Sequence, residues 1–468
     1  MNPLSDTIAA LATPPGEGGI AVIRVSGPDA LNLVDRSFRG KVTLPSVVSH
    51  TAHVGEIVDG KHLVLDQVVC LVFRGPHSYT GEDTVEVSCH GGTFVSQRVL
   101  QAILDSGARH ARPGEFTQRA FLNGRMDLSQ AEAVADLIHA HSDMAHRASI
   151  QQLRGSVLQS VDALRRQLMD TAGLIELELD FVDDGYEFKD KDVLRSQLTQ
   201  TIARIDELAS TYRYGRIWRE GVHIVIAGSP NVGKSSLLNA LLNADRAIVT
   251  DIPGTTRDFI DESINLDGIT CRLTDTAGLR LTEDPVEREG VDRAVRLSDE
   301  ADIVLFVLDQ SRAIADEELT WLRKLIKEGG SVRRKSIVVL NKTDIPSAPS
   351  AKVDALLNSL PHLNIVRLSA RTGEGLRGLK KAVVTIVRAG MVGPAQETVV
   401  VTNSRHFHAL TQAKSRLELC LDSLDQGRSG EFIAVDLRAA LENLGEIVGA
   451  VTTDDILNNI FARFCIGK

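Results

Sequence analysis

The sequence predicts a multidomain chain of mixed class: an N-terminal α/β block, a helical bundle built from two separated segments, and a doubly wound α/β domain inserted between them. Three observations carry this. At 468 residues the chain is too long for a single hydrophobic core. Its texture shifts from short β-branched runs closed by Gly or Pro, to long Ala/Leu/Gln-rich stretches, to apolar runs with polar ends, and back to helix formers. And "GSPNVGKS" (Gly228–Ser235) sits between an apolar run and a helical one, where a phosphate loop belongs.

Residues 1–118 form the first block. "GGIAVIRVSGP", "LDQVVCLVFRGP" and "DTVEVSCHGG" read as strands, and "TFVSQRVLQAILDSG" has helical spacing that stops at Gly107. Residues 119–215 are nearly free of Pro and read as long helices, interrupted by the acidic bend "FVDDGYEF". Residues 216–379 alternate buried strands ("VHIVIAG", "ADIVLFVLDQ", "SIVVLNKTD") with helices, the pattern of a parallel sheet. From 380 to 468 the chain is helical again. "TTDDILNNIFARF" has Thr452 and Asp455 at capping-box spacing, then Ile456, Leu457, Ile460, Phe461 and Phe464 on one stripe. That stripe needs a partner face, and the helices of 119–215 offer one.

Composition excludes several classes. No apolar run of 18 or more residues occurs, so no membrane span is expected. The N-terminus lacks a basic start followed by an apolar stretch, so no signal peptide is expected. The five cysteines lack C-x-x-C spacing, which argues against a zinc ribbon and a disulfide framework and for a reducing, cytoplasmic setting. With a net charge of −10, any nucleic-acid contact must be local or made through a partner.

The chemistry concentrates in the inserted domain. The phosphate loop would wrap backbone N–H groups around phosphate oxygens, with Lys234 reaching the β/γ-phosphates and Ser235 binding Mg²⁺. "DTAG" (Asp275–Gly278) follows a strand end and offers a carboxylate to the metal shell and the Gly278 N–H to the γ-phosphate. "NKTD" (Asn341–Asp344) also follows a strand. Its Asp344 carboxylate can accept from both N1–H and the 2-amino group of guanine, and adenine offers neither donor. "LSARTG" would close over the base, and Thr256 in "TDIPGTTRD" would cover Mg²⁺ and γ-phosphate. Four motifs in this order define a GTP-binding domain. The residue after "DTAG" is Leu279, which cannot orient an attacking water, so another group must do so; Asn231, the loop 250–256 and Glu287 are the candidates.

"ATPPGEGGIAVIRVSGP", "GPHSYTGEDTVEVSCHGG", "ARPGEFTQRAFLNGRMDLSQAEAVADLI", "PNVGKSSLLNALL", "TDIPGTTRDF", "DTAGLR", "NKTD", "LSARTGEG" and the terminal "CIGK" together closely resemble the MnmE (TrmE) family, the GTPases of tRNA wobble-uridine modification. The blocks span all three regions. The resemblance implies a GTP hydrolase that, with a FAD-carrying partner, MnmG, adds a carboxymethylaminomethyl or aminomethyl group to C5 of uridine 34. It also implies a homodimer, a heterotetramer with MnmG, and tRNA as substrate.

By motif position, the family's nucleotide contacts fall on Asn231, Val232, Gly233, Lys234, Ser235 and Ser236; on Thr250, Asp251, Ile252, Pro253, Gly254, Thr255 and Thr256; on Asp275, Thr276, Ala277 and Gly278; on Asn341, Lys342, Thr343 and Asp344; and on Ser369, Ala370 and Arg371. The resemblance implies K⁺ bound by Asn231, Thr250, Ile252 and Thr255, Mg²⁺ by Ser235 and Thr256, and a water oriented through Glu287. It further implies an N-terminal tetrahydrofolate site, seen with the 5-formyl form, made by Arg24, Glu86, Arg125 and Lys468, with Cys465 as a second catalytic residue. The tail "FARFCIGK" is expected to be a short flexible extension reaching that pocket.

Two other readings compete. A ribosome-assembly GTPase shares the phosphate loop and "NKxD", but carries neither the N-terminal block nor the terminal "CIGK". A lipid anchor at Cys465 would need a terminal residue other than Lys468 and has no polybasic stretch before it.

Overall fold

The computed structural model describes residues 6–180, 191–245, 262–275, 301–327, 336–346, 364–390, 399–462 and 464–468; "FVDDGYEF" falls outside them. The chain divides into two compact units, one of residues 1–139, 149–207 and 405–468, the other of residues 140–148 and 208–404.

The first unit contains a seven-stranded sheet of β1 (Ile8–Leu11), β2 (Gly18–Ser26), β3 (Phe38–Gly40), β4 (Thr51–Val58), β5 (Val64–Phe73), β6 (Thr84–Gly91) and β7 (Arg109–His110), ordered β3-β4-β5-β6-β2-β1-β7. Pairing is antiparallel except between β1 and β7. One face packs Ile23, Val25, Val85, Val87 and Val72 against Val34 of the helix Ala30–Ser37 and Val99 and Ile103 of Thr93–Asp105. Side chains alternate along a strand. Arg24 stands opposite Glu86 in the β2–β6 register, between those core residues, and so both lie on the sheet's other face.

The same unit holds long helices. Ser156–Asp180 packs along Gly430–Val448. Asp127 caps Leu128–Ile138 in a reciprocal box with Gln130. Leu128 and Ala131 of that helix bury Leu457, Phe461 and Phe464, the stripe predicted from the sequence. Two expectations are corrected. The last helix is Asp454–Phe461, capped by Thr453 rather than Thr452: Thr453 is extended and its hydroxyl accepts from the Ile456 N–H at 3.4 Å. The tail is not a free extension. Gly467 is buried with positive φ, its α-carbon so close to the Leu11 carbonyl that a β-carbon would not fit.

The second unit is built on a six-stranded sheet of β8 (Val222–Ala227), β9 (Glu262–Leu266), β10 (Ile269–Asp275), β11 (Ile303–Asp309), β12 (Ser336–Asn341) and β13 (Asn364–Arg367), ordered β13-β12-β11-β8-β10-β9. All pairs are parallel except the β9–β10 edge. β11 and β12 are buried at every position, as strands covered on both faces must be. Ile224, Ile226 and Val339 pack on one face with Leu237, Leu241, Leu379 and Val383, from the helices Lys234–Asp245 and Leu376–Gly390. Val225, Phe306 and Val338 pack on the other with Leu319 and Leu322 of Asp316–Lys327. This is the doubly wound arrangement, whose ligand crevice lies at the carboxyl ends of the strands. Among the described residues, no helix is long and apolar enough to cross a membrane.

Candidate functional site

The loop Gly228–Gly233 leaves the carboxyl end of β8 and enters the helix Lys234–Asp245. Gly228, Asn231 and Gly233 take positive φ of 149°, 62° and 99°. Such turns aim successive N–H groups inward, the arrangement that binds anions. The buried Lys234 ammonium donates to the Gly228 and Ser229 carbonyls at 2.8 and 2.9 Å. A phosphate oxygen would be a stronger, charged acceptor in the same place. Ser235 and Ser236 are exposed in the helix's first turn. The Ser235 hydroxyl is a hard oxygen donor that fits Mg²⁺ beside phosphates, and the exposed Asn231 offers a similar oxygen to K⁺.

The loop after β12 is bonded to its neighbours. Asn341 is buried; its amide donates to the Val232 carbonyl at 2.8 Å, and its side-chain oxygen accepts from the Ala370 N–H at 3.0 Å. Lys342, with φ of 68°, donates to Asp309 at the end of β11 at 2.6 Å. Burial alone would raise the Asp309 pKa, but Lys342 and Ser311 outweigh it and hold the carboxylate low. Thr343 donates its N–H to the Leu368 carbonyl at 3.2 Å. Asp344 is exposed, and the Ser369 hydroxyl donates to one of its oxygens at 2.7 Å, keeping the carboxyl below its ordinary range. Arg371 adds positive charge nearby. The residues from "PNVGKS", "NKTD" and "SAR" are therefore brought together at the carboxyl ends of β8, β12 and β13. Asp275 ends β10 level with Ile226 of β8, placing its backbone at the same rim. Thr250–Thr256, Thr276–Gly278 and Glu287 lie outside the described residues.

A second cluster lies in the first unit. Arg24 pairs with Glu86 at 2.8 Å and lies over the Tyr79 ring, 4.9 Å from its centroid, with Phe116 5.7 Å away. Its Nη1 is buried with no hydrogen-bond partner, a donor suited to an incoming carboxylate. Lys468 is half-buried next to this pair. Burial and the adjacent Arg24 charge lower its pKa, against the opposing pull of Glu86 and Cys465. Arg125 donates to the Ser78 carbonyl at 3.1 Å, at the residue preceding Tyr79. Cys465 is the exposed thiol; Cys70, Cys89, Cys271 and Cys420 are buried, and burial pushes Cys70 up to about 12. The Cys465 carbonyl accepts from the N–H groups of Gly114 and Lys468 at 3.5 and 3.3 Å, which fixes the tail across the N-terminal fold. The cationic cluster with one unpartnered guanidinium nitrogen fits the glutamate carboxylates of a folate.

Sequence reasoning missed the supports of this pocket. Tyr79 and Phe116 carry Arg24 on their rings, which no spacing discloses. Arg119 is 1% exposed and joins Asp6, Glu82 and Glu115. The i, i+4 spacing of Glu115 and Arg119 was the available signal. Burial would raise the Glu115 pKa, but Arg109, the Arg112 N–H and Arg119 hold it at about 2.

A family model described as "MnmE helical domain" matches residues 128–465, and one described as "GTP-binding protein TrmE N-terminus" matches residues 7–125. The chain is 46% identical over 466 residues to the tRNA modification GTPase MnmE of Salinibacter ruber, covering 99% of both chains. It is 43% identical over 465 residues to the protein of the same name from Chlorobium luteolum, covering 98% of this chain and 97% of the other. It is also 43% identical to that of Cytophaga hutchinsonii, covering 99% and 98%.

Proposed function

The chain belongs to the MnmE (TrmE) family, and on that premise we propose that it is a GTP hydrolase that modifies the wobble uridine of certain tRNAs. With a FAD-containing partner, MnmG, it adds a carboxymethylaminomethyl or aminomethyl group to C5 of uridine 34, drawing on a one-carbon tetrahydrofolate. It works in the cytoplasm as a homodimer that assembles with MnmG into a heterotetramer. Its parts are the N-terminal domain 1–118, the helical domain 119–215 with 380–468, and the inserted GTPase domain 216–379.

One observation carries this reading: a single chain holds both a guanine-type loop set, with Asn341 bonded to the phosphate loop, and a charged cluster in which the Arg24–Glu86 pair acts on the C-terminal residue, Lys468. Asp344 selects guanine through its two carboxylate oxygens. Lys234 leaves the two loop carbonyls for the phosphates. Ser235 and Thr256 would hold Mg²⁺, and Asn231, Thr250, Ile252 and Thr255 would hold K⁺; the two ions would supply positive charge to offset that on the phosphates. Glu287 orients the attacking water in place of the residue that Leu279 cannot supply. In the N-terminal pocket, Arg24, Arg125 and Lys468 receive the folate carboxylates and Glu86 accepts from pterin N–H groups. The bound folate supplies the one-carbon unit, and Cys465 lies at the pocket's edge.

Reconstitution tests the proposal. The purified chain, MnmG, GTP, the one-carbon folate, the amine donor and unmodified tRNA should yield C5-modified uridine 34 on nucleoside analysis. Omitting GTP or this chain should prevent it, and modification that proceeds without either contradicts the proposal.

A further inference from the structure

The strand β11 ends in a buried carboxylate, Asp309. The β11–β12 register sets it level with Asn341, and the Gln310 N–H donates to the Asn341 carbonyl at 3.1 Å, so the two strand ends leave the sheet side by side. A charge buried to that degree persists only where it is paired and hydrogen-bonded. Each oxygen of Asp309 meets one of these needs. Oδ1 accepts from the Ser311 N–H at 2.9 Å and from the Ser311 hydroxyl at 2.6 Å, which fixes how the carboxylate is turned. Oδ2 accepts from the Lys342 ammonium at 2.6 Å.

Lys342 begins the turn that carries Asp344. Its φ of 68° is a conformation that residues other than glycine avoid, so contacts elsewhere must hold it there. Its carbonyl accepts from the Ile345 N–H at 3.1 Å, which closes the four-residue turn Lys342–Ile345 with Asp344 as its third residue. Asn341, just before the turn, is fixed by its buried amide. Within the turn, the Ser369 hydroxyl holds one oxygen of Asp344. Guanine recognition uses both oxygens, so the direction of the carboxylate depends on how the turn is seated. The bond from Lys342 to Asp309 ties the first residue of that turn to the end of a neighbouring strand.

We propose that Asp309 is a positioning residue for base recognition: through its ion pair with Lys342 it seats the Lys342–Ile345 turn so that both Asp344 oxygens meet the guanine edge. Asp309 does not itself touch the nucleotide. The effect is preorganisation, so it appears in selectivity for guanine as well as in affinity. This rests on the reading of Asp344 as the guanine acceptor.

The test is binding of GDP and of IDP to the full chain by calorimetry, in four forms: unaltered, Asp309→Asn, Lys342→Met, and the two substitutions together. IDP lacks the 2-amino group, so it can make only one of the two bonds to Asp344, and the preference for GDP over IDP reports how well that carboxylate is placed. Asp309→Asn keeps an oxygen for Ser311 and presents a nitrogen to Lys342. It should weaken GDP binding about tenfold and IDP binding about threefold, which narrows the preference. Lys342→Met, which keeps the stem and removes the ammonium, should narrow it at least as much. Adding Asp309→Asn to Lys342→Met should change GDP affinity by less than about twofold, because the link is already gone. Unchanged GDP affinity in Asp309→Asn, equal losses of GDP and IDP, or losses that multiply in the double variant would overturn the inference. Lys342 is only partly buried, so should Asp309→Asn fail to fold, an unchanged preference in Lys342→Met overturns it instead. An unaltered chain that binds GDP and IDP equally would overturn the reading of Asp344, and the inference with it.

Discussion

The side-chain amide of Asn341 donates to the backbone carbonyl of Val232 at 2.8 Å, so the guanine-type loop after β12 is bonded directly to the phosphate loop after β8. The other end of the same amide accepts from Ala370. One buried side chain therefore sets the spacing between the places expected to hold base and phosphates. The consequences can be measured.

Gly233 lies under that amide at φ of 99°, and a β-carbon there would collide with the Asn341 side-chain nitrogen. Gly233→Ala should cost ~1–3 kcal/mol of stability in the nucleotide-free chain through strain at a φ that Ala avoids. It should also reduce GDP affinity sharply. A variant that melts and binds as the unaltered chain does would show the contact to be slack.

Asp344→Asn replaces one acceptor oxygen by a donor nitrogen while leaving an oxygen for the Ser369 hydroxyl. The guanine 2-amino group then meets a donor, and the 2-oxo group of xanthine finds one. In competition assays, preference should move from GTP towards XTP by about a hundredfold or more. Unchanged selectivity would remove Asp344 from base recognition.

Leu279 cannot orient water, and the proposed K⁺ ligands begin with Asn231 in the phosphate loop. GTP turnover should rise by about tenfold or more when Na⁺ is replaced by K⁺ at constant ionic strength. Equal turnover in the two salts would rule out the cation's part in hydrolysis.

Glu132 is buried between Arg405 and His406, at 2.9 Å and 2.8 Å. Burial would raise its pKa, but His406 and Arg405 outweigh that and hold it at about 2, against about 4.5 for a free glutamate. A lowered folded-state pKa means that the stabilisation is complete above about pH 4.5 and is lost as the pH falls towards 2. Glu132→Gln should cost about 3 kcal/mol near neutrality, since it leaves the half-buried Arg405 without its counter-ion. Its stability should then vary less between pH 4.5 and 2 than that of the unaltered chain, as read by denaturant melts across that range. An unchanged acid profile would show that Glu132 does not carry it.

Much of this was legible in the sequence because it is local. The strand, loop and helix around "GSPNVGKS" are contiguous, and the fully buried runs of β11 and β12 announce a sheet covered on both faces. The apolar stripe of the last helix was legible for the same reason, although its cap was placed one residue early because Thr452 and Thr453 are both plausible caps. What escaped depends on residues distant in the chain. Arg24 on Tyr79 and Phe116, and Arg119 among Asp6, Glu82 and Glu115, join segments that only the fold brings together. The tail shows the same limit. "FCIGK" reads as an extension, yet Gly467 is packed against Leu11 and Lys468 stands beside Arg24 and Glu86.

The most direct measurement is mass spectrometry of tRNA nucleosides from a strain lacking this chain, complemented with either the unaltered chain or Lys234→Ala. The C5-modified wobble uridine should be absent from the deletion strain, return with the unaltered chain, and stay absent with Lys234→Ala. Modified uridine persisting in the deletion strain, or returning with Lys234→Ala, would contradict a GTP-dependent role in wobble-uridine modification.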